Sequence, residues 1–105
     1  DVLVRFTRAL QKAADYRNSN IEEVAGWVAT QCEVDGETMK ATVGEGNWGI
    51  TSDFLKKGLE DGTIAKYYEN QQQVFIDGGR LTDKVDVNQY VLFDIMKEAN
   101  EANNK

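Results

Sequence analysis

The sequence predicts an all-α fold of five or six short helices, and three observations lead to it. Apolar residues recur at intervals of three and four along most of the 105 residues, which is the period of a helix with one buried face. No segment alternates apolar and polar residues as a half-buried strand does. The chain has no proline, so none interrupts a helix. At this length we expect a single helical domain, residues 1–105, with a thin core.

The first two helices have the clearest apolar stripes. Between residues 2 and 16, the positions that we expect to be buried are Leu3, Phe6, Leu10, Ala13 and Ala14. The positions that we expect outside this stripe are Arg5, Arg8, Gln11 and Lys12. Asn20 and Glu23 fit the N-cap and capping box of a second helix that begins at Ile21. Gly26 in its middle costs ~1 kcal/mol relative to alanine, which suggests that another backbone approaches closely there.

A short third helix and a glycine-rich connector follow. Asp35 can cap the helix, and residues 44–49 end it with three glycines. Their spacing matches Gly-x-Gly-x-x-Gly by count, but no strand precedes it and no basic residue accompanies it, so we interpret the segment as a connector and not as a phosphate loop. Asn47 and Trp48 in this connector are the candidate ligand-binding residues, because a large aromatic residue in a loop either seals the core or lines a cleft.

Two further helices are bounded by local capping signals. Thr51 or Ser52 can cap a fourth helix, which ends at the Asp-Gly pair of residues 61–62. Thr63 can cap a longer fifth helix, which the two glycines at 78–79 close.

The last part of the chain is predicted as a connector, a helix and a polar tail. We expect Leu81 and Val85 to enter the core from the connector and Asp86 to cap the last helix. The apolar face of that helix is Val87, Tyr90, Val91, Ile95 and Ala99. Residues 100–105 are polar, and we expect them to fray.

Composition excludes several classes of function. With 12 Lys and Arg against 18 Asp and Glu, the net charge is −6, which disfavours nucleic acid and anionic membrane surfaces as partners. The chain has no histidine and one cysteine, Cys32, so it offers neither a zinc ligand set nor a catalytic triad. We expect Cys32 to behave as a small buried hydrophobic residue. The composition therefore predicts no enzyme and no cofactor.

Pairs of acidic residues are the remaining candidates for chemistry. The pairs are Glu22 with Glu23, Glu60 with Asp61, and Asp83 with Asp86. Glu22 and Glu23 lie in the first turn of a predicted helix, where the helix dipole favours negative charge. Asp86 is a predicted helix cap, and Glu60 and Asp61 fit a solvated helix end. A calcium loop counted from Asp83 fails, because its sixth and twelfth positions are Asn88 and Asp94 instead of glycine and glutamate. We therefore expect no catalytic carboxylates and no metal site.

Six segments of the chain occur in an order that resembles the order of motifs in a known protein family. They are Asp1-Val-Leu-Val-Arg-Phe-Thr-Arg-Ala-Leu-Gln-Lys-Ala-Ala-Asp-Tyr, Asn20-Ile-Glu-Glu-Val-Ala, Val34-Asp-Gly-Glu-Thr, Trp48, Phe75-Ile-Asp-Gly-Gly-Arg-Leu and Val85-Asp-Val-Asn-Gln-Tyr-Val. In this order they resemble the C-terminal helical part of solute-binding proteins of ABC importers, of the nitrate, sulfonate, taurine and thiamine-precursor type. Ile21 stands where the family usually has proline.

The resemblance implies a larger protein with the two-lobed α/β periplasmic-binding-protein fold, of which this chain is a helical fragment. Such a protein is extracytoplasmic, in the periplasm or on the cell surface as a lipoprotein. It captures a small molecule such as a sulfonate, nitrate, taurine or a thiamine precursor and delivers it to an ABC transporter permease. The residues that select the solute would lie largely outside this chain.

The residues alone leave a second function open, an autonomous acidic helical protein-interaction module that offers an apolar groove to a partner helix. A fragment should expose the apolar face that the rest of its protein covers, whereas an autonomous module should expose at most one patch of a few hundred Å². Trp27 lies one step off its stripe, and the glycines around Trp48 cannot shield it. We therefore expect a concentration-dependent homodimer in which at least one tryptophan loses solvent exposure.

Overall fold

A computed structural model describes residues 1–42 and 50–105, and these residues are mostly helical. The helices are α1 (Val2–Ser19), α2 (Ile21–Cys32), α3 (Gly36–Thr42), α4 (Ser52–Asp61), α5 (Thr63–Asp77) and α6 (Phe93–Asn103). A short 3-10 helix, Val87–Gln89, lies between α5 and α6. The two described ranges contain no strand, so the predicted all-α class is confirmed for them.

The helices form a flat and open arrangement. α6 packs against α1 and α4, α5 packs against α4, and α2 and α3 form a pair that joins the rest through α1. The chain measures 43 × 42 × 24 Å and has a radius of gyration of 16.4 Å. A compact domain of this length has a radius of gyration of about 13 Å. The helices therefore leave much of their apolar surface uncovered.

The core of the described residues is small. Its buried apolar residues are Val4, Ala25, Ala29, Ile64, Val87, Val91 and Ala99. Four polar residues are also buried, namely Gln11, Ser52, Gln72 and Asn100. No large side chain in the described ranges is completely buried. The side-chain amides of Gln11, Gln72 and Asn100 each bond to a main-chain carbonyl of another segment, so buried hydrogen bonds also connect the elements.

Most of the predicted helix boundaries are confirmed. Asp35 accepts a hydrogen bond from the main-chain N of Thr38 at 3.0 Å, and Thr51 Oγ1 accepts one from Phe54 N at 3.2 Å. Gly62 ends α4 with φ +80°, and Gly79 follows α5 with φ +69°. Both are left-handed conformations that favour glycine.

Three predicted caps are wrong. Thr63 is the first residue of α5 and not its cap, because the N-cap position is taken by Gly62, which has no side chain to accept a capping hydrogen bond. α1 extends to Ser19, so the Asn20 amide is used by that helix and donates to the Tyr16 carbonyl at 2.9 Å. Glu23 completes no capping box, because it accepts a hydrogen bond from the Tyr16 hydroxyl instead. Asp86 caps the 3-10 helix, accepting from Asn88 N at 3.0 Å, while α6 begins only at Phe93.

The predicted buried stripe of α1 is also wrong. Leu3, Phe6 and Leu10 are 51%, 62% and 55% exposed, whereas Val4 and Gln11 are buried. α6 packs instead on the side of α1 that carries Arg8 and Gln11. Gln11 Nε2 donates to the Met96 carbonyl at 3.0 Å, and Arg8 Nε donates to Asn103 Oδ1 at 3.1 Å.

The end of the chain is more ordered than predicted. α6 continues to Asn103 instead of fraying at residue 100. Asn103 Nδ2 donates to the Arg8 carbonyl at 3.1 Å, and Asn103 Oδ1 accepts from Arg8 Nε at 3.1 Å. Leu81 and Val85, by contrast, do not enter the core and are 43% and 49% exposed.

The close helix contact expected in α2 occurs in α4. Gly26 has no other atom within 4 Å of the position that a Cβ would take, whereas a Cβ on Gly58 would lie 2.7 Å from Ile64 Cγ1. The apolar side of α2 is covered mainly at Ala25 and Ala29. Cys32, at the end of α2, is exposed and not buried as predicted.

Candidate functional site

The two candidate ligand-binding residues named from the sequence, Asn47 and Trp48, lie outside the described residues. Candidate sites are therefore sought in residues 1–42 and 50–105. Within these ranges no three acidic or cysteine side chains come together as a metal site would require.

The acidic pairs have structural roles where the structure shows their bonds. Asp61 Oδ1 accepts from Thr63 N at 2.8 Å, and hydrogen bonding by the Thr63 side chain and main chain lowers the pKa of Asp61. The main-chain N–H and then the side chain of Asn88 lower the pKa of Asp86. Hydrogen bonding to Glu23 raises the pKa of the Tyr16 hydroxyl. A lowered carboxyl pKa stabilises the ionised form, as expected of a helix cap and opposite to a general acid.

A buried polar joint connects α1, α4 and α6. The carboxylate of Asp15 accepts two hydrogen bonds from Ser52, from its main-chain N at 2.7 Å and from Oγ at 2.6 Å. Asn100 Nδ2 then donates to the Ser52 carbonyl at 2.8 Å. Asp15 thereby places a negative charge at the N-terminus of α4, where the helix dipole favours it. Both carboxylate oxygens are occupied, so this serine–carboxylate pair is an anchor between helices.

A groove of about 360 Å³ lies beside this joint, between α4 and α6. Its lining residues are Lys56, Leu59, Glu60, Lys97, Asn100, Glu101, Asn104 and Lys105. Each helix contributes a lysine and a glutamate four residues apart, which is one helical turn. Among the described residues, these lysines form no ion pair in the structure. Leu59 gives the groove an apolar wall, so it can hold a small molecule with one apolar side, or an apolar side chain of a partner.

Exposed apolar side chains form two larger features. The α1 stripe consists of Val2, Leu3, Phe6 and Leu10. Four further exposed apolar residues lie at the end of α5 and in the segment that follows, on more than one side of the helix, and are called the α5 patch: Val74, Phe75, Leu81 and Val85. Tyr16 and Trp27 lie near the end of α1 and are also exposed, with their rings stacked at 5.9 Å and 4°. Apolar surface of this extent on a small chain marks contact sites.

Sequence reasoning missed the joint, the groove and both exposed apolar features. Each depends on which helices pack together, and no spacing along the chain indicates it.

Comparison with known protein families, with curated proteins and with solved structures gives no match for this chain. None of the described helices is long and apolar enough to cross a membrane.

Proposed function

We propose that this chain is the C-terminal helical portion of the extracytoplasmic solute-binding component of an ABC importer. The complete protein would capture a small solute such as nitrate, a sulfonate, taurine or a thiamine precursor and present it to the permease. The proposal rests on the ordered motifs of the sequence, and one structural observation carries it further. This observation is the uncovered α5 patch.

The α5 patch is too exposed for a self-contained domain. Val74 is 68% exposed, and Phe75, Leu81 and Val85 are between 38% and 49% exposed. Apolar cover from elsewhere in the protein is what the fragment interpretation predicts.

The backbone under the α5 patch is firmly held, which supports a surface built to receive another part of the protein. Arg80 N and Leu81 N both donate to the Phe75 carbonyl, at 2.8 and 3.2 Å. The side chain of Gln72 bonds to both main-chain groups of Val85. A surface that is ordered before binding loses less conformational entropy when its cover arrives.

Expression of the complete reading frame that encodes this chain tests the proposal. Thermal unfolding is followed with nitrate, taurine, alkanesulfonates, aromatic carboxylates and a pyrimidine thiamine precursor. We expect one of these solutes to raise the melting temperature of the complete protein by mass action and none to affect the 105-residue chain alone. A complete protein that responds to no solute in this set contradicts the proposal.

A substitution in the α5 patch gives a structural control. In the complete protein, Leu81→Asp should lower the melting temperature, because it places a charge under the covering lobe. Thr82→Asp adds the same charge to the adjacent exposed residue and should have little effect. Equal effects of the two substitutions would show that nothing covers Leu81, and the autonomous interaction module would then be the better interpretation.

A further inference from the structure

The α1 stripe has the spacing of a coiled-coil seam. Leu3, Phe6, Leu10 and Ala13 are separated by three, four and three residues, and all four are exposed. This spacing corresponds to successive a and d positions of a heptad. The seam is on the side of α1 that α6 does not cover, since α6 contacts the Gln11 side.

The borders of this seam carry no charge. Thr7 and Ala14 occupy the positions along one border, and Val2, Ala9 and Tyr16 occupy the positions along the other. The basic residues Arg5, Arg8 and Lys12 lie elsewhere on the helix, at about 100° per residue around the axis. Arg17 takes the next a position, one turn after Ala13 and beyond the residues that pair. A helix placed on the seam therefore meets no charged border residue of α1.

The side chains of the seam can pair with those of a second copy that runs in the opposite direction. When two copies of α1 lie antiparallel, Phe6 of one faces Leu10 of the other, and Leu3 faces Ala13. Each contact occurs twice, which is the requirement of a two-fold axis. The small side chains of Ala9 meet near that axis and allow the helices to approach closely. The antiparallel orientation also opposes the two helix dipoles favourably.

From these features we infer that the α1 stripe is a docking surface for a second copy of this chain, antiparallel and symmetric. The contact continues at each end of the seam, where Val2 of one copy faces Tyr16 of the other. Tyr16 stacks on Trp27, which is 56% exposed, so Trp27 lies at the edge of the interface. The inference uses α1 and Trp27 of α2 only and does not depend on the proposed solute-binding function.

The size of the seam sets the strength of the dimer. Residues 2–16 of an α-helix span about 22 Å. Two such helices bury less than the ~1,200 Å² of standard interfaces, which places the contact among weak complexes. We therefore expect self-association that becomes apparent at about tens to hundreds of micromolar protein.

Sedimentation equilibrium of the 105-residue chain with two charge variants tests both the surface and the orientation. Phe6→Glu and Leu10→Lys should each be monomeric, because each puts like charges into the seam opposite an apolar residue. An equimolar mixture of the two variants should form a heterodimer. In the antiparallel arrangement the introduced glutamate faces the introduced lysine, and the remaining Leu10 and Phe6 face each other as in the original chain.

Lys12→Glu is the matched control, because it changes a charge on α1 outside the seam and should leave the dimer intact. Circular dichroism confirms that each variant remains helical. In a Trp48→Phe background, Trp27 is the sole tryptophan, and its quenching by acrylamide should fall as the concentration of protein rises. A chain that stays monomeric at 500 µM, a mixture of variants that does not associate, or a Lys12→Glu variant that is monomeric would each overturn the inference.

Discussion

The side-chain amide of Gln72 is paired with both main-chain groups of Val85. Its Oε1 accepts from Val85 N at 2.7 Å, and its Nε2 donates to the Val85 carbonyl at 2.9 Å. The same Nε2 donates to the Tyr90 hydroxyl at 2.9 Å. One buried side chain thus holds the segment between α5 and α6 in the way that a neighbouring strand would hold it.

Gln72→Glu should destabilise the chain by about 2–3 kcal/mol, because a carboxylate cannot donate to the Val85 carbonyl and faces it instead. Urea unfolding followed by circular dichroism measures the change. Gln71→Glu introduces the same charge at an exposed position of α5 and should change stability by less than about 0.5 kcal/mol. Equal urea midpoints for the two variants would show that the pairing contributes nothing.

Two glycine substitutions should have opposite effects. Gly58→Ala should cost about 1–3 kcal/mol, because its Cβ would lie 2.7 Å from Ile64 Cγ1 in a buried contact of α4 and α5. Gly26→Ala should stabilise α2 by about 1 kcal/mol, since nothing lies within 4 Å of the new Cβ. Thermal unfolding of both variants checks the assignment. If Gly26→Ala destabilises the chain, another backbone does approach α2 at Gly26, as the sequence had predicted.

Stability should fall in acid as the capping carboxylates become protonated. The pKa of Asp61 is lowered from 3.8 in the folded chain, so its contribution is complete above pH 3.8 and is lost as the pH falls through the folded value. Asp61→Asn should therefore reduce the dependence of the melting temperature on pH between about pH 5 and 2. Glu60→Gln, at the adjacent exposed position, is the control. An unchanged pH profile for Asp61→Asn would rule out this role of the cap.

Leu92→Ser should stabilise the chain by about 0.5–1 kcal/mol. Leu92 is the N-cap residue of α6, makes no capping hydrogen bond and is 58% exposed. A serine hydroxyl can accept a hydrogen bond from the free N–H groups at the start of the helix. Leu92→Ala, which offers no acceptor, separates this effect from the loss of an exposed apolar side chain. If the serine and alanine variants melt at the same temperature, the cap has not formed.

Some helix ends could be predicted from the sequence because their chemistry is local, whereas the caps predicted at Asn20, Thr63 and Asp86 failed. The caps at Asp35 and Thr51 act on an N–H three residues away, and the stop at Gly62 depends on its own backbone angle. The choice of buried face could not be predicted in the same way. Gln11 is buried because its side-chain amide bonds to the carbonyl of Met96, 85 residues further along. The spacing of apolar residues in α1 does not indicate this partner.

The candidate site shows the same limit. Lys56 and Lys97 belong to helices whose packing no motif encodes, so the groove between them could not be found from residue spacing. The joint likewise connects residues that are far apart in the sequence: Asp15 and Ser52 are 37 positions apart, and Ser52 and Asn100 are 48 positions apart. For Asn47 and Trp48, which lie outside the described residues, the prediction from the sequence stands untested.

Because α1 packs on α6, α1 remains without its partner helix during most of the synthesis of the chain. Arg8 bonds to Asn103, 95 residues later, so α1 leaves the ribosome long before its partner exists. At about 5–20 residues per second, this interval lasts about 5–20 seconds. Throughout it, both the apolar seam and the polar side of α1 are exposed to the cellular environment. Loss of α6 by early termination would leave both sides of α1 without a partner permanently.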